Sequence, residues 1–296
     1  MTAAALLLYF EDEHESALRL AGAAALASAP LGRHRFPDGE FKLRLPASLP
    51  ESVVLLRTLD HPNEKLLELL LAARTARELG ARHLTLVAPY LAYMRQDVAF
   101  LPGEAVSQRI VGRFLADLFD AVITVDPHLH RVATLREAIP VPHAIALTGA
   151  ALLADLIAGR RQRPLLVGPD AESAQWVAQA AARHGFEYAV CCKVRHGDRT
   201  VEMELPPVNV AGRAVVLLDD VASTGQTLAG AARLLLAARA ASVDVAVTHA
   251  LFAGDALQVI LDAGVGEVWS TDCISHSSNA VSVAPLIAAA LSGITH

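Results

Sequence analysis

Little in this chain could staple it, anchor it or tie it to nucleic acid. Its 296 residues include three cysteines, Cys191, Cys192 and Cys273, with no CxxC pair. An odd count without that spacing argues against a zinc cage or a disulfide framework and fits a reducing compartment. Lys and Arg number 25 against 31 Asp and Glu, for a net charge of −6, and no basic tail or block occurs. A nucleic-acid binder needs a basic face to neutralise phosphates, so no nucleic-acid partner is expected. A small bound phosphate needs only a local site. No apolar run reaches the ~20 residues that span a bilayer, so no membrane role is expected. The opening MTAAALLLYF lacks a basic leader and runs straight into Glu11, Asp12 and Glu13. It reads as a first buried strand rather than a secretory signal, and the expected location is cytoplasmic. With 53% hydrophobic and 19% charged residues, disorder is excluded.

What is present is alternation. Apolar runs at 5–9, 53–57, 84–88, 121–125, 164–168, 189–193, 214–218, 243–249 and 267–270 read as strands. Between them, 63–79, 107–118, 148–157, 171–184 and 227–239 carry helical patterns. Strands alternating with helices imply an α/β fold with mainly parallel sheets, and continuous apolar strands imply cover on both faces. LTLVAPY at 84–90 and LLVGPD at 165–170 repeat one strand-to-Pro pattern, which suggests two related tandem domains. The Pro-rich IPVPH at 139–143 reads as the linker, giving domains 1–143 and 144–296.

Ligands in open parallel sheets bind at the carboxyl ends of strands. Polar clusters sit at those ends here: Arg95 to Asp97, Asp126 to His130, Asp170, and Asp219 to Thr227. The strongest is VVLLDDVASTGQT at 215–227. An apolar strand meets Asp219 and Asp220, and then Ser223, Thr224, Gly225, Gln226 and Thr227 open a helix. Free N–H groups at a helix start bind anions, and glycine lets a phosphate approach closely. Ser223, Thr224 and Thr227 add hydroxyl donors, while Asp219 and Asp220 suit sugar hydroxyls. Neither a Walker loop nor a GxGxxG fingerprint is present. Lys193 and Arg195 lie two apart on a strand, on one side of a hairpin running from 188 to 205.

The 215–227 loop resembles the type I phosphoribosyltransferase signature, with Ser223 where that family usually has a third acid. Further segments, in order over nearly the whole chain, resemble the ribose-phosphate diphosphokinase (phosphoribosyl-diphosphate synthetase) family. They are Phe36-Pro37-Asp38-Gly39-Glu40, residues 89–97 (PYLAYMRQD), Asp126-Pro127-His128, Gly168-Pro169-Asp170 and Lys193-Val194-Arg195. The resemblance implies two phosphoribosyltransferase-like domains, the first facing ATP and the second ribose 5-phosphate, with a β-hairpin flap in the second. It implies that Phe36, Asp38, Gly39, Glu40, Arg95, Gln96, Asp97 and His128 bind ATP. Asp170, Arg195, Asp219, Asp220 and residues 223–227 would bind ribose 5-phosphate. His128 and Asp170 would hold Mg²⁺, with His130 a rival for the histidine role, and Lys193 and Arg195 would be catalytic.

The family's ATP site is completed across a subunit contact, so at least a homodimer is expected. The stretch 41–53 lacks the Ser- and Arg-bearing segment that many bacterial synthetases use for activation by phosphate, which implies weak phosphate dependence. Two other readings remain. A phosphoribosyltransferase consuming the activated sugar needs only the 215–227 loop. A non-catalytic regulatory homologue would not need Lys193, Arg195 or His128.

Overall fold

A computed structural model describes residues 5–129, 131–196 and 200–294; of 193–196 and 200–202 it describes the backbone alone. The chain divides into two compact units, Met1–Leu147 with Val283–His296, and Thr148–Ser282. The sequence expectation placed the boundary at 143/144 and left the whole C-terminus in the second domain. The differences have a local cause. His143–Leu147 pairs into the first unit's sheet, and the last helix packs against that unit's first helix and its sixth and seventh strands.

The first unit contains β1 (Leu6–Phe10), α1 (His14–Ala24), β2 (Ala27–Arg35), β3 (Phe41–Arg44), β4 (Ser52–Leu56), α2 (Pro62–Glu78), β5 (His83–Val87), α3 (Ser107–Ala116), β6 (Ala121–Val125), α4 (Leu135–Ala138) and β7 (His143–Leu147). Its sheet runs β3-β2-β1-β4-β5-β6-β7. All neighbours are parallel except the β2–β3 hairpin. The second unit contains α5 (Ala150–Arg160), β8 (Leu165–Gly168), α6 (Ala174–His184), β9 (Glu187–Val190), β10 (Cys192–His196), β11 (Thr200–Glu204), β12 (Ala214–Ala222), α7 (Gln226–Ala237), β13 (Ser242–Ala250), α8 (Ala256–Asp262), β14 (Val268–Thr271) and β15 (Asn279–Val281). Its sheet runs β15-β14-β13-β12-β8-β9, all parallel, with β10 and β11 as a separate antiparallel pair. The closing α9 (Ala284–Ser292) belongs to the first unit.

Counting parallel strands in chain order, both sheets read 2-1-3-4-5-6. Each also carries a hairpin at this stage of the chain: β2–β3, formed by the second strand itself, in one unit, and the separate β10–β11 after the second strand in the other. The repeat suspected from two strand ends is therefore a repeat of whole topology.

The cores explain the continuous apolar strands. Leu55, Leu86 and Val122 bury against α2 and α3 residues such as Leu69 and Leu115, while Leu217 and Val245 bury against Leu228 and Leu235 of α7. Covered on both faces, these strands cannot alternate polar and apolar residues. Two elements depart from the expected boundaries. β12 runs on through both acids to Ala222, because β13 continues to pair with it as far as Ala250. The single strand expected at 189–193 is two: β9 stays in the sheet beside β8, and β10 leaves it.

Candidate functional site

In the second unit the site forms at the point where strand order reverses, between β8 and β12. Crevices at such switch points are where open α/β sheets bind ligands. Asp170 follows β8 and caps the short turn Ala171–Ser173, accepting from the Glu172 amide at 3.1 Å. Asp219 and Asp220 lie near the end of the adjacent β12, and Asp220 is buried. Burial, then the nearby Asp220 and Asp170 carboxylates, push the Asp219 carboxyl well above the ordinary range. Asp219 keeps some solvent contact, but the protein packed round it outweighs that contact. This crowding of acids marks a place that gains from a cation or from hydroxyl donors.

Residues 223–225 then turn into α7. Gly225 is its N-cap, left-handed at φ 74°. The glycine is required from behind: a Cβ there would lie 2.7 Å from the Ala256 carbonyl and 3.0 Å from Ile260 on α8. Ala253 and Phe252 amides bond the carbonyls of Ser223 and Ala222, each at 2.9 Å, so the segment after β13 braces the loop. The first amides of α7 are left without helical partners, with Thr224 and Gln226 exposed beside them. Cys191 lies beside this site; burial, then Cys192 and Asp170, raise its thiol to about 11, so it stays a protonated structural thiol.

The flap strand β10 carries Lys193 opposite Met203 and Arg195 opposite Val201. The side chains of Lys193 and Arg195, residues 197–199 and His130 lie outside the described residues.

In the first unit the expected residues fall in two places. Phe36 to Glu40 form the tip of the β2–β3 hairpin, where the Phe36 amide bonds the Glu40 carbonyl at 2.8 Å. Phe36 is 39% exposed, with its ring edge-on to His34 at 4.8 Å. An aromatic ring left open at a hairpin tip is a stacking surface. Residues 95–97 follow β5, and Asp126 and His128 follow the adjacent β6. Asp126 is buried with φ 38°, a backbone that non-glycine residues seldom adopt. Gln96 is held by the start of α3: its carbonyl accepts from the Gln108 amide at 3.2 Å and its side chain from Ser107 Oγ at 3.4 Å.

Asp97 is engaged within the chain. Its carboxylate accepts from the Arg131 amide and guanidinium. Burial opposes ionisation there, but the Arg131 hydrogen bonds outweigh it and hold the carboxyl below the usual range. Ser107, Gln108 and Arg131 were not singled out in the sequence. A polar residue near a helix start or in a loop carries no local mark of a distant partner.

The comparisons with known proteins agree with this layout. Residues 6–118 match the family described as the N-terminal domain of ribose phosphate pyrophosphokinase, and residues 137–263 match the phosphoribosyl transferase domain. A ribose-phosphate pyrophosphokinase of Methanopyrus kandleri is 36% identical over 280 residues, covering 94% of this chain and 95% of that protein. One from Methanosarcina mazei is 37% identical, covering 88% and 86%. The crystal structure of phosphoribosylpyrophosphate synthetase from Mycobacterium smegmatis shares the fold, with a TM-score of 0.85 at 24% identity over 98% of both chains. With two paired domains in this order and relatives this similar along nearly the full length, the chain belongs to the ribose-phosphate pyrophosphokinase family.

Proposed function

We propose that the chain transfers the β,γ-diphosphate of Mg-ATP to the C1 hydroxyl of ribose 5-phosphate, giving 5-phosphoribosyl 1-diphosphate and AMP. The observation that carries this reading is the meeting of Asp170, Asp219 and Asp220 beside the amino end of α7. Anion and polyol recognition then adjoin at one strand end.

In this reading the second unit takes the sugar. The amides at 224–227 hold the 5-phosphate, with Ser223, Thr224 and Thr227 hydroxyls and Gln226 around it. Asp219 and Asp220 accept from ribose hydroxyls. Because burial and its acid neighbours raise Asp219, an arriving hydroxyl donor or cation favours its ionised form. The first unit takes the nucleotide. Phe36 stacks on the base, Asp38 and Glu40 accept from its amino group, and Gly39 turns the chain between them. Arg95 and Gln96 hold phosphates, with Asp97 ordering the adjoining segment through Arg131.

O1 of the sugar attacks the β-phosphorus in line and AMP leaves with the bridging oxygen. Such transfers depend chiefly on positioning and charge stabilisation. Lys193 and Arg195 on the flap supply the cations for charge developing on the β-phosphate. Among the described residues no set of three or more His, Cys, Asp or Glu could hold a metal by itself. The crowded acids nonetheless fit Mg²⁺, which usually takes one or two carboxylates and completes its shell with water and phosphate oxygens. Asp170 would hold such an ion in the second unit and His128 would contact one in the first; when bound, it would neutralise phosphate charge. The working form is at least a dimer, and it acts in the cytoplasm.

The test is incubation of the purified chain with Mg-ATP and ribose 5-phosphate. AMP and the diphosphorylated sugar, formed in equal amounts, are expected. Turnover only when the activated sugar is offered with a free base would make the chain a transferase. No turnover, with capture of an active synthetase, would make it a regulatory subunit.

A further inference from the structure

The shared 2-1-3-4-5-6 order makes β1 and β4 the counterparts of β8 and β12. The first unit therefore has its own switch point, where the ends of β1 and β4 diverge. In the second unit that place gathers acids. In the first it is filled from within. Arg57, just past β4, is 1% exposed. Its guanidinium reaches Asp12 at 2.9 Å, Glu68 at 2.5 Å and Glu13 at 3.3 Å, and lies 4.5 Å from the centre of the Phe10 ring. Arg33 from β2 closes the set, pairing with Glu68 at 2.5 Å and Asp12 at 3.8 Å. Two guanidinium groups so face three acids from β1's end and α2, with Lys65 and Asp60 paired alongside at 2.5 Å.

This plug grips the chain beyond β4 at both sides of one residue. Glu13 Oε1 accepts from the Thr58 amide at 2.6 Å, and Lys65 donates to the Thr58 carbonyl at 3.0 Å. The Thr58 hydroxyl in turn accepts from the Tyr90 amide at 3.1 Å, and the Leu59 amide donates to the Tyr90 carbonyl at 2.9 Å. Tyr90 begins the segment that ends in Arg95, Gln96 and Asp97. Glu13 Oε2 and Arg57 Nε are buried without hydrogen bonds, so the cluster is not simply a set of best-paired charges.

We propose that Glu13, Arg57 and Thr58 form a positioning relay, in which the plugged switch point of the first unit fixes Thr58 and Thr58 fixes residues 90–97 for nucleotide binding. The relay rests on the proposed role of Arg95 and Gln96 in holding ATP. It explains why a buried acid bonds a loop amide with one oxygen while its other oxygen faces Arg57. All three residues are buried, so their role is to position the segment and not to contact substrate.

Removing Arg57 would strand buried carboxylates, and that variant could fail to fold. The discriminating substitutions are smaller. In the full chain, Thr58→Val keeps the shape and deletes the acceptor for Tyr90. It is expected to raise KM for ATP about tenfold, the scale of one lost buried hydrogen bond, while KM for ribose 5-phosphate stays within about twofold. Amide exchange over residues 90–97 is expected to quicken, and Thr58→Ser is expected to reverse both effects. Glu13→Leu, which removes the acceptor for the Thr58 amide, should copy Thr58→Val, whereas Glu13→Gln should not. Unchanged exchange in Thr58→Val, or an equal rise in both KM values, overturns the relay. If the wild-type chain forms no AMP, the catalytic reading fails instead; the exchange comparison then still decides whether Thr58 orders the segment.

Discussion

Asp97 and Arg131 close a loop across 34 residues: one carboxylate oxygen accepts from the Arg131 amide at 3.0 Å and the other from its guanidinium at 2.6 Å. The Asp97 side chain retains 1% of its surface, whereas that of Arg131 retains 59%. The pair is thus screened by water on one side, and its service is to order the chain rather than to stabilise the fold. Arg131→Ala should leave melting nearly unchanged and raise KM for ATP roughly threefold to tenfold, as expected for one lost charge-assisted contact. Steady-state kinetics with each substrate varied in turn checks this; a rise confined to ribose 5-phosphate would contradict it.

Gly225→Ala meets two penalties at once. The backbone stands at φ 74°, and the new methyl would press on the Ala256 carbonyl. Destabilisation on the order of 2 kcal/mol is expected, read as a lower denaturant midpoint, because strain and overpacking each cost ~1–3 kcal/mol. Binding of ribose 5-phosphate should weaken with it, since the collision pushes the loop off its brace. Gly22→Ala, exposed in the last turn of α1 where a Cβ meets nothing within 4 Å, is the control and should stabilise slightly.

Lys193→Ala should lower kcat by about 10³-fold or more, the lower end of what a cation placed on a transferring phosphoryl group supplies. Binding of ribose 5-phosphate, measured by calorimetry, should be spared. Near-normal turnover would remove Lys193 from the chemistry.

Glu13 gives the fold a pH signature of its own. Burial, opposed by Arg57 and the Thr58 amide, raises its carboxyl to about 7 from an ordinary 4.5. Below pH 4.5 the group is protonated in folded and unfolded chains alike, and no penalty arises. As pH rises through 7 the fold must bury a charge that the unfolded chain carries freely, so this contribution to stability is lost. The full loss is on the order of 3 kcal/mol. Other carboxylates, such as Asp155 and Glu267, are held low by arginine partners and act in the opposite sense at lower pH. The clean measurement is therefore a difference. The stability of Glu13→Gln minus that of wild type should increase from pH 5 to pH 8. A difference that stays flat would place Glu13 among ordinary carboxylates.

Activity without added inorganic phosphate should be close to that with it, since 41–53 lacks the activating segment described above. A requirement for millimolar phosphate would refute this.

Much of the site was legible in the chain because its signals are local. DDVASTGQT announces a strand end, acids and a helix start within nine residues, and the structure puts them there. Other elements were silent. α1 carries an apolar face of Ala17, Leu20 and Ala21, short residues that leave a weak period. β2, with only Leu31 buried, reads as loop, and its strand nature comes from pairing β1 and β3. β7 hides after a Pro-rich stretch that looks like a linker, yet its five residues complete the sheet against β6.

The sequence alone determined the alternation of covered strands and helices, the two-unit plan and the acid-to-helix turn at 219–227, because periodicity and turn chemistry act between neighbours along the chain. Only the tertiary structure decided that both sheets share one strand order and that α9 closes the first unit. It also decided that one switch point gathers Asp170, Asp219 and Asp220 while the other is filled by Arg57 with Asp12, Glu13 and Glu68. Those partners lie 45, 44 and 11 residues from Arg57, and charges that far apart meet only once the sheet has set their places.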